Sequence, residues 1–302
     1  MQPVVLSSAD GLSPPRFSAR GSARALVSVS AISAPCAAPS SAAAAADPLW
    51  LAVVGKGGAG KSVVAGTLAR VLSRRGHVVV AIDSDTMPGL TRVLGLEEPA
   101  VAPLLAAVEQ DGGGRWRLRK GIGPVRAVQR FSTRAPDGVR LFQLGKVGAD
   151  GLAPMLATLN GFLAVVWHLE DRATPRGWTI VGDLPAGLRH PVVGLSPYAR
   201  IYVVVFEPTT QSALTARRVA RFARRYHEAR VLFVANKIVD AADRRLAQRL
   251  LGEPFYVAVP ADQAVVEAER TGAALLDAAP DCHAVQAIET LADRLEGRTL
   301  TT

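Results

Sequence analysis

An eight-residue glycine-rich segment constrains the fold of this chain more than any other feature of the sequence. It reads Gly55-Lys56-Gly57-Gly58-Ala59-Gly60-Lys61-Ser62. A short apolar run over residues 49–54 precedes it, and a pattern of helical period over residues 61–74 follows it. The spacing satisfies G-x-x-x-x-G-K-[ST], which between a strand and a helix is typical of a phosphate-binding loop. The sequence therefore predicts a strand, an anion-binding loop and a helix in immediate succession.

Each residue type in this loop suits a nucleoside triphosphate. Glycines let backbone N–H groups turn toward phosphate oxygens, and the following helix presents its positive N-terminus to the same anion. We expect Lys61 to neutralise β- and γ-phosphate charge and Ser62 to supply a hydroxyl to Mg²⁺. The other residues of the loop expected to bind the nucleotide are Gly55, Gly57, Gly58, Ala59 and Gly60.

Short apolar runs alternate with segments of helical period through residues 48–302. The later runs span residues 77–82, 139–144, 178–182, 201–206, 231–235 and 255–259. The later helical segments span residues 152–168, 210–227, 240–251, 262–271 and 284–296. Runs that are apolar at nearly every position suit parallel strands buried on both faces. The pattern predicts an α/β protein with the P-loop NTPase fold, in which helices cover both faces of a mostly parallel sheet of about seven strands.

Residues 1–47 differ from the rest, because Ala, Ser and Pro make up more than half of them. Such a segment buries too little apolar surface to offset its ordering entropy, so we expect a disordered tail. Its Ser-rich, Arg-bearing and acid-poor composition also fits a transit peptide, and an upstream-misassigned start is a third alternative. Residues 48–302 are predicted to form one domain with an irregular basic insert at about 97–138.

Composition excludes several classes of protein. A chain of 302 residues with 49% hydrophobic content can build a large core. No stretch approaches 18 uninterrupted apolar residues, so a membrane-spanning helix is not expected. Two cysteines, Cys36 and Cys282, are too few for a disulfide scaffold or a zinc cluster. A reducing, cytoplasmic setting fits this cysteine usage.

The phosphate loop contains a second lysine, Lys56, although only five of the 35 basic residues are lysines. With it, the segment VVGKGGAGKS resembles the deviant Walker A loop of the MinD/ParA group of P-loop ATPases. The resemblance implies a slow ATPase that uses ATP and Mg²⁺ and forms a homodimer when ATP binds. It also implies that Lys56 reaches across the dimer to the phosphates held by the partner subunit.

Two acidic motifs follow predicted strands, and ligand sites gather at such strand ends. Asp83-Ser84-Asp85-Thr86 resembles the D-x-D-P segment of the family, with Thr86 in place of proline. The resemblance implies that Asp85 orients the attacking water and that Asp83 supports it. The alternative is a pair of aspartates that caps the next helix.

The segment from Asp183 to Gly187 resembles the D-x-P-x-G switch segment of the same family. The resemblance implies that Asp183 holds Mg²⁺ through water and that the backbone N–H of Gly187 meets the γ-phosphate. The alternative is a turn that binds no ligand.

The end of the chain's sixth predicted strand carries Asn236 and Lys237. The resemblance implies that the amide of Asn236 recognises adenine, since an amide both donates and accepts hydrogen bonds. Lys237 can pack its aliphatic stem on the base. Pro260 and Asp262, after the last predicted strand, would form the other wall of the base pocket. An N-cap for the helical segment 262–271 is an equally good interpretation of Asp262.

Within the family, the chain is most similar in appearance to the CooC-like branch of nickel-insertion ATPases. The C-x-C pair of that branch is absent from the comparable residues 148–155, so nickel binding there has no support. Our main hypothesis is therefore a dimeric switch that couples its nucleotide state to an unidentified protein partner. A nickel-insertion accessory ATPase stays as an alternative.

Two arginine-rich stretches, residues 115–140 and 217–230, suggest a further alternative. A concentrated positive face binds DNA nonspecifically through phosphates, as partition ATPases of this family do. A solvated arginine face on an amphipathic helix explains the same pattern without a ligand. A membrane role is not expected, because the helical segment 284–296 carries acidic residues, whereas membrane-targeting helices are basic.

Overall fold

The computed structural model describes residues 47–87, 89–99, 101–146, 152–170, 176–187, 194–226 and 228–297. The tail predicted over residues 1–47 lies outside this part of the chain, apart from Asp47. Residues 148–151 of the segment compared with the C-x-C motif also lie outside it.

The main sheet contains eight strands within the described residues, in the order β10-β9-β8-β1-β7-β2-β6-β5. They are β1 (Trp50–Gly55), β2 (Val78–Asp83), β5 (Thr133–Arg134), β6 (Arg140–Gln143), β7 (Trp178–Asp183), β8 (Ile201–Phe206), β9 (Arg230–Ile238) and β10 (Val257–Pro260). Neighbouring strands are parallel except β5 and β6. The predicted α/β fold with a mostly parallel sheet is confirmed. The additional strand, β5, has only two residues and is too short to give a periodic signal.

The helices described are α1 (Lys61–Arg74), α2 (Leu90–Val93), α3 (Pro124–Phe131), α4 (Leu152–Val166), α5 (Thr210–Tyr226), α6 (Ala241–Leu251), α7 (Gln263–Thr271), α8 (Leu275–Ala278) and α9 (His283–Leu295). Helix α6 shows how local sequence fixes their ends. Asp240 accepts a hydrogen bond from the backbone N–H of Asp243, and Gly252 ends the helix in the left-handed conformation. None of these helices is long and apolar enough to cross a membrane.

Two apolar cores lie on the two faces of the sheet. One packs α4, α5 and α6 against the strands, and it includes the stacked rings of Phe142 and Phe162, whose centroids are 5.6 Å apart. The other packs α1, α7, α8 and α9 against the opposite face. Because both faces are covered, the central strands are buried at nearly every position, which explains their unbroken apolar runs.

The insert over residues 97–138 is more regular than the sequence predicts. It contains a 3₁₀ turn (Pro103–Ala107), an antiparallel hairpin of β3 (Val108–Gln110) and β4 (Trp116–Leu118), and helix α3. The carboxylate of Asp111 closes the hairpin turn, because it accepts from the N–H groups of Gly113 and Arg115, each at 2.9 Å. The insert packs on α4, where a side chain in place of Gly161 would collide with Val108.

A buried arginine ties this insert to α1. The guanidinium of Arg70 is 2.7 Å from a carboxylate oxygen of Asp137 in the insert and 2.7 Å from Asp277 in α8. Arg70 is 1% exposed, whereas both aspartates keep contact with solvent. One fully buried cation therefore joins three segments that are distant in the sequence.

We expect Arg70→Met to lower the free energy of unfolding by about 3 kcal/mol, because it removes the charge-assisted hydrogen bonds that the buried guanidinium makes to Asp137 and Asp277. Arg74→Met is the matched control. Arg74 pairs with the same Asp137, but its side chain is 44% exposed, so a loss below about 1 kcal/mol is expected. Urea denaturation of the two variants measures both effects. Equal losses would contradict the structural role given to Arg70.

Candidate nucleotide-binding site

The predicted phosphate loop and both acidic motifs meet at one edge of the sheet. Strand β7 lies between β1 and β2, and Asp83 and Asp183 are paired residues in the register of β2 and β7. The carboxyl ends of these three strands therefore bring together the loops that follow Gly55, Asp83 and Asp183. An edge of this kind is where ligands bind in open α/β sheets.

The phosphate loop leads directly into α1. Gly60 caps the helix with φ of 88°, a conformation that favours glycine, and a side chain there would collide with the amide of Asn236. The ammonium of Lys61 lies 3.4 Å from the backbone carbonyl of Lys56, inside the loop. The N–H groups at the start of α1 and the Lys61 charge thus share one concave site.

The second lysine, Lys56, differs from Lys61 in its surroundings. Lys56 is half-buried, and its ammonium has no ion pair or hydrogen bond to any residue in the described ranges. The switch glycine is close by, since the N–H of Gly187 donates to the carbonyl of Gly55 at 3.0 Å. The predicted contact between this N–H and a γ-phosphate would have to replace that hydrogen bond.

Ser62 and Asp183 form the shortest polar contact of the site. The Ser62 hydroxyl donates to one carboxylate oxygen of Asp183 at 2.5 Å. The other oxygen, Oδ1, is buried and has no hydrogen-bond partner among the residues described. Gly89, the N-cap residue of α2, packs here. A Cβ at this position would lie 2.5 Å from the Ser62 hydroxyl, so only glycine leaves the pair undisturbed.

Asp83 and Asp85 organise the neighbouring loop. The carboxylate of Asp83 accepts from the N–H of Asp85 at 3.1 Å and from the N–H of Leu90, the first residue of α2, at 2.9 Å. Asp83 therefore also stabilises the start of the next helix, as the capping alternative predicts. Asp85 is half-buried and accepts from the N–H of Met87 at 3.0 Å. This leaves Asp85 as the more accessible carboxylate of the two.

Burial of two adjacent carboxylates raises their pKa values. Burial, followed by repulsion from Asp183, raises the pKa of Asp83 to about 8. Burial raises the pKa of Asp183 to about 6, while the Ser62 hydroxyl and the Lys61 charge oppose this shift. The pair is short of positive charge, which is the electrostatic condition that a bound cation relieves.

These pKa values predict that the free chain loses stability as the pH rises. Between about pH 4 and about pH 8 the folded state holds protons that the unfolded state has released, so the free energy of unfolding falls with increasing pH. The slope reaches about 1.4 kcal/mol per pH unit for each extra proton. Urea denaturation across this range measures it. Asp83→Asn cannot ionise and should flatten the slope above pH 6; an unchanged slope would contradict the assignment.

A cavity of about 450 Å³ adjoins the phosphate loop and brings the residues of the predicted base pocket together. Asn236, Lys237, Pro260 and Asp262 all line it, with Gly58, Gly60, Lys61 and Ser62 on the loop side. Its volume lies within the range of small-molecule sites. The sequence-predicted residues thus converge, although they come from the ends of different strands.

Asp262 holds two helices at this cavity. Its carboxylate accepts from the N–H of Ala264 in α7 at 3.0 Å and from the N–H of Ala284 in α9 at 3.1 Å. These hydrogen bonds, that from Ala264 first, hold the pKa of Asp262 below its usual value. Asp262 is therefore an N-cap and a cavity residue at once, so the two interpretations of the sequence are compatible.

Asn236 and Lys237 hold the phosphate loop from the side of β9. The buried amide of Asn236 donates to the carbonyl of Ala59 at 2.7 Å. The ammonium of Lys237 donates to the carbonyl of Gly58 at 2.7 Å and pairs with Glu207, at the end of β8, also at 2.7 Å. Lys237 adopts φ of 58°, a conformation that is uncommon for lysine. We call these contacts of Lys237 with Gly58 and Glu207 the clamp. The sequence alone does not reveal it, because Glu207 lies 30 residues before Lys237, at the end of the neighbouring strand.

We expect Glu207→Gln to weaken ATP binding by about two- to fivefold, because it frees Lys237 from the position in which it holds the loop. The effect is modest because half of the Lys237 side chain is exposed and exposed pairs contribute about 1 kcal/mol or less. Fluorescence titration with an ATP analogue measures it. Glu170→Gln removes the exposed Glu170–Arg200 pair as a control and should leave affinity unchanged. Equal affinities in all three proteins would contradict the clamp.

No group of three or more His, Cys, Asp or Glu side chains suited to a metal ion occurs in the described part of the chain. A magnesium site does not need such a group, since Mg²⁺ keeps several waters and is bound by one or two protein oxygens together with substrate phosphates.

This chain is similar in sequence and in fold to several known proteins. The family model for the CobQ/CobB/MinD/ParA nucleotide binding domain matches residues 50–276. The carbon monoxide dehydrogenase accessory protein CooC of Rhodospirillum rubrum is 28% identical over 247 residues, which cover 77% of this chain and 91% of that protein. Among solved structures, the cell division ATPase MinD of Pyrococcus furiosus has a TM-score of 0.62 at 20% identity, over 83% of this chain and 99% of that one. The septum site-determining protein MinD of Pyrococcus horikoshii, solved with Mg-ADP, has a TM-score of 0.62 at 18% identity, over 82% and 96%.

Proposed function

Because the chain belongs to the CobQ/CobB/MinD/ParA nucleotide-binding domain family, we propose that it binds ATP with Mg²⁺ and hydrolyses ATP slowly as a dimeric switch. In this role its nucleotide state would control a protein partner. The observation that carries the proposal is the contact between the Ser62 hydroxyl and Asp183 at the mouth of the phosphate loop. It places the two expected magnesium-binding side chains together, next to Lys61 and the N-terminus of α1.

The residues present fit a magnesium ion. Asp183 offers a buried oxygen with no partner in the described residues, and Ser62 offers a hydroxyl beside it. Both are oxygen donors, which Mg²⁺ prefers. When bound, the ion would neutralise charge on the β- and γ-phosphates. The raised pKa of both Asp83 and Asp183 supports the same assignment, because a cation would lower it again.

The protein's own groups would divide the remaining work. Lys61 and the N–H groups of the loop bind the phosphates, and the cavity at Asn236 and Pro260 takes the base. Asp85 orients the attacking water, and Asp83 fixes the backbone of Asp85 through its hydrogen bond. Lys56, whose ammonium is not engaged by any described residue, would reach the phosphates of the partner subunit as the dimer closes.

Three measurements test this proposal on the full chain. A fluorescent ATP analogue should bind more tightly with Mg²⁺ than without it, and more tightly than the GTP analogue. Light scattering should show a monomer with ADP and a dimer with ATP. Phosphate release should be slow and should disappear in Asp85→Asn, in which the water-orienting carboxylate is lost. Absence of magnesium-dependent binding would refute the proposal.

DNA binding is a second candidate, favoured by the exposed arginines of two adjacent helices. Helix α5 exposes Arg217, Arg218 and Arg221, and α6, which packs against it, exposes Arg244, Arg245 and Arg249. Titration of nonspecific duplex DNA at two salt concentrations, with and without ATP, decides it. If this face binds DNA phosphates, the affinity for DNA must fall steeply as the salt concentration rises. An affinity that does not change with salt would exclude this second candidate. The nickel-insertion alternative has no comparable support in the described residues.

A further inference from the structure

A second cavity, of about 430 Å³, lies beside the site just described. One wall is a stripe along α4 formed by Met155, Leu159 and Leu163, four residues apart, and Leu144 and Leu195 complete the apolar surface. The lip is formed by Ser84, Asp85, Thr86 and Pro185. These four residues follow β2 and β7, so the cavity opens among the loops that carry the nucleotide chemistry.

One polar group on this cavity, the hydroxyl of Ser84, is buried without a hydrogen-bond partner among the described residues. The residue is 2% exposed. Buried hydroxyls are nearly always hydrogen-bonded in folded proteins, so an unpaired one against an apolar cavity indicates a surface that another molecule completes.

Two exposed apolar side chains are sequence neighbours of residues that line this cavity. Met87, which is 83% exposed, follows Thr86 of the lip, and Leu156, which is 45% exposed, follows Met155 of the α4 wall. Apolar side chains next to a half-open apolar cavity form a patch of the kind that marks a protein interface, whereas single exposed ones do not. The other end of β2 provides such a single residue, Val78, which is 54% exposed.

We propose that a second copy of this chain covers the cavity, with Met87 of each subunit entering the cavity of the other. This inference rests on the ATP-dependent dimer proposed above. A two-fold interface presents the same patch on both subunits, so a patch with both a cavity and a protruding apolar side chain can complement itself. Methionine suits an irregular gap, and its thioether sulfur is an acceptor for the unpaired Ser84 hydroxyl.

Position and charge both favour a second copy as the occupant. Pro185 lines the cavity, and the next residue, Ala186, packs against Gly57 of the phosphate loop, with its Cβ 3.6 Å from the position that a Gly57 Cβ would take. The cavity and Lys56 therefore lie along the same edge of the sheet. That edge carries Asp85 and Lys56, charges of opposite sign, so the face can meet itself without net repulsion.

This arrangement would couple formation of the dimer to hydrolysis of ATP. The side chain that enters the cavity contacts the segment 84–86, which holds Asp85. The position of the water-orienting carboxylate would thus depend on the second subunit, in addition to the contribution of Lys56.

Lysine substitutions at the exposed apolar residues test the proposal. In Met87→Lys and Leu156→Lys we expect the dimer formed with ATP and Mg²⁺ to dissociate at least about tenfold more readily, because a charge replaces an apolar contact. ATP affinity of the monomer should stay within about twofold. Val78→Lys, at the opposite edge of the sheet, is the matched control and should dimerise as the unmodified chain does. Sedimentation at several concentrations measures all four proteins.

Cysteine protection gives a second measurement that does not depend on a disruptive substitution. The background chain carries Cys36→Ser and Cys282→Ser, so that the introduced cysteine is the one labelled. In this background, ATP should slow maleimide labelling of Met87→Cys about tenfold and leave the labelling rate of Val78→Cys unchanged. When Lys56→Ala is added, ATP should no longer protect Met87→Cys from labelling. An unmodified chain that dimerises with ATP while Met87→Cys stays unprotected would overturn this inference alone. A chain that stays monomeric with ATP and Mg²⁺ would overturn both the inference and the proposed dimer.

Discussion

Replacing Lys61 by alanine is expected to weaken ATP binding by at least about a hundredfold, equivalent to about 2.7 kcal/mol. Lys61 lies at the first turn of α1 with its ammonium inside the phosphate loop, 3.4 Å from the carbonyl of Lys56. A charge-assisted contact to the β- and γ-phosphates is the strongest single interaction that this loop can offer to a triphosphate. Equilibrium titration with a fluorescent ATP analogue in the presence of Mg²⁺ measures the loss.

Two controls separate this effect from misfolding and from general loss of charge. Lys120→Ala removes an exposed lysine of the insert and should bind ATP as the unmodified chain does. The urea midpoint of Lys61→Ala should stay close to that of the unmodified chain, since its charge is not part of a buried ion pair in the described residues. Tight ATP binding by Lys61→Ala would show that the loop does not hold phosphates in the manner proposed.

Periodicity predicts most of the fold because the pattern of burial is simple. Each central strand is covered on both faces, so an unbroken apolar run marks it, and all seven strands expected from such runs are present. The pattern misses α3, which has eight residues and lies in the insert. The other elements it misses are short: β3 and β4 have three residues each, β5 has two, and α2 and α8 have four each. Segments of this length hold their conformation through tertiary contacts, such as the hydrogen bond from Leu90 to Asp83, and carry no period of their own.

The sequence predicts those parts of the candidate site whose residues are close together in the chain. It does not predict contacts between residues that are far apart in the chain. The phosphate loop and the two aspartate motifs are contiguous in sequence, so their residue types identify them. The Glu207–Lys237 pair joins neighbouring strand ends, and the contact of Gly89 with Ser62 joins the starts of α2 and α1. Neither contact is visible before the strand order is known. The second cavity is of the same kind, because Ser84, Leu144 and Leu195 meet only in the folded chain.

The two lysines of the phosphate loop are expected to act at different steps, Lys61 in ATP binding and Lys56 in formation of the dimer. The ammonium of Lys61 already lies within the loop of its own subunit, whereas no described residue engages that of Lys56. A half-buried cation with no partner in the described residues is available to a group that arrives from outside. The phosphates held by a second subunit would be such a group, so removing either lysine should block a different step.

Lys56→Ala is accordingly expected to keep ATP affinity within about threefold while it loses ATP-dependent dimerisation. Its hydrolysis should fall by at least about a thousandfold, the lower end of what a cation supplied to a phosphoryl transition state contributes. Mixing Lys56→Ala with Asp85→Asn provides the sharpest test. In a mixed dimer, the first subunit keeps Asp85 and receives Lys56 from the second, so one site of the two is complete. Phosphate release that reappears on mixing therefore requires Lys56 to act across the interface. A Lys56→Ala chain that dimerises and hydrolyses ATP normally would exclude that role. So would a mixture that forms mixed dimers, as shown by sedimentation, yet stays as inactive as its components, because a lysine serving its own subunit cannot be replaced by the partner's.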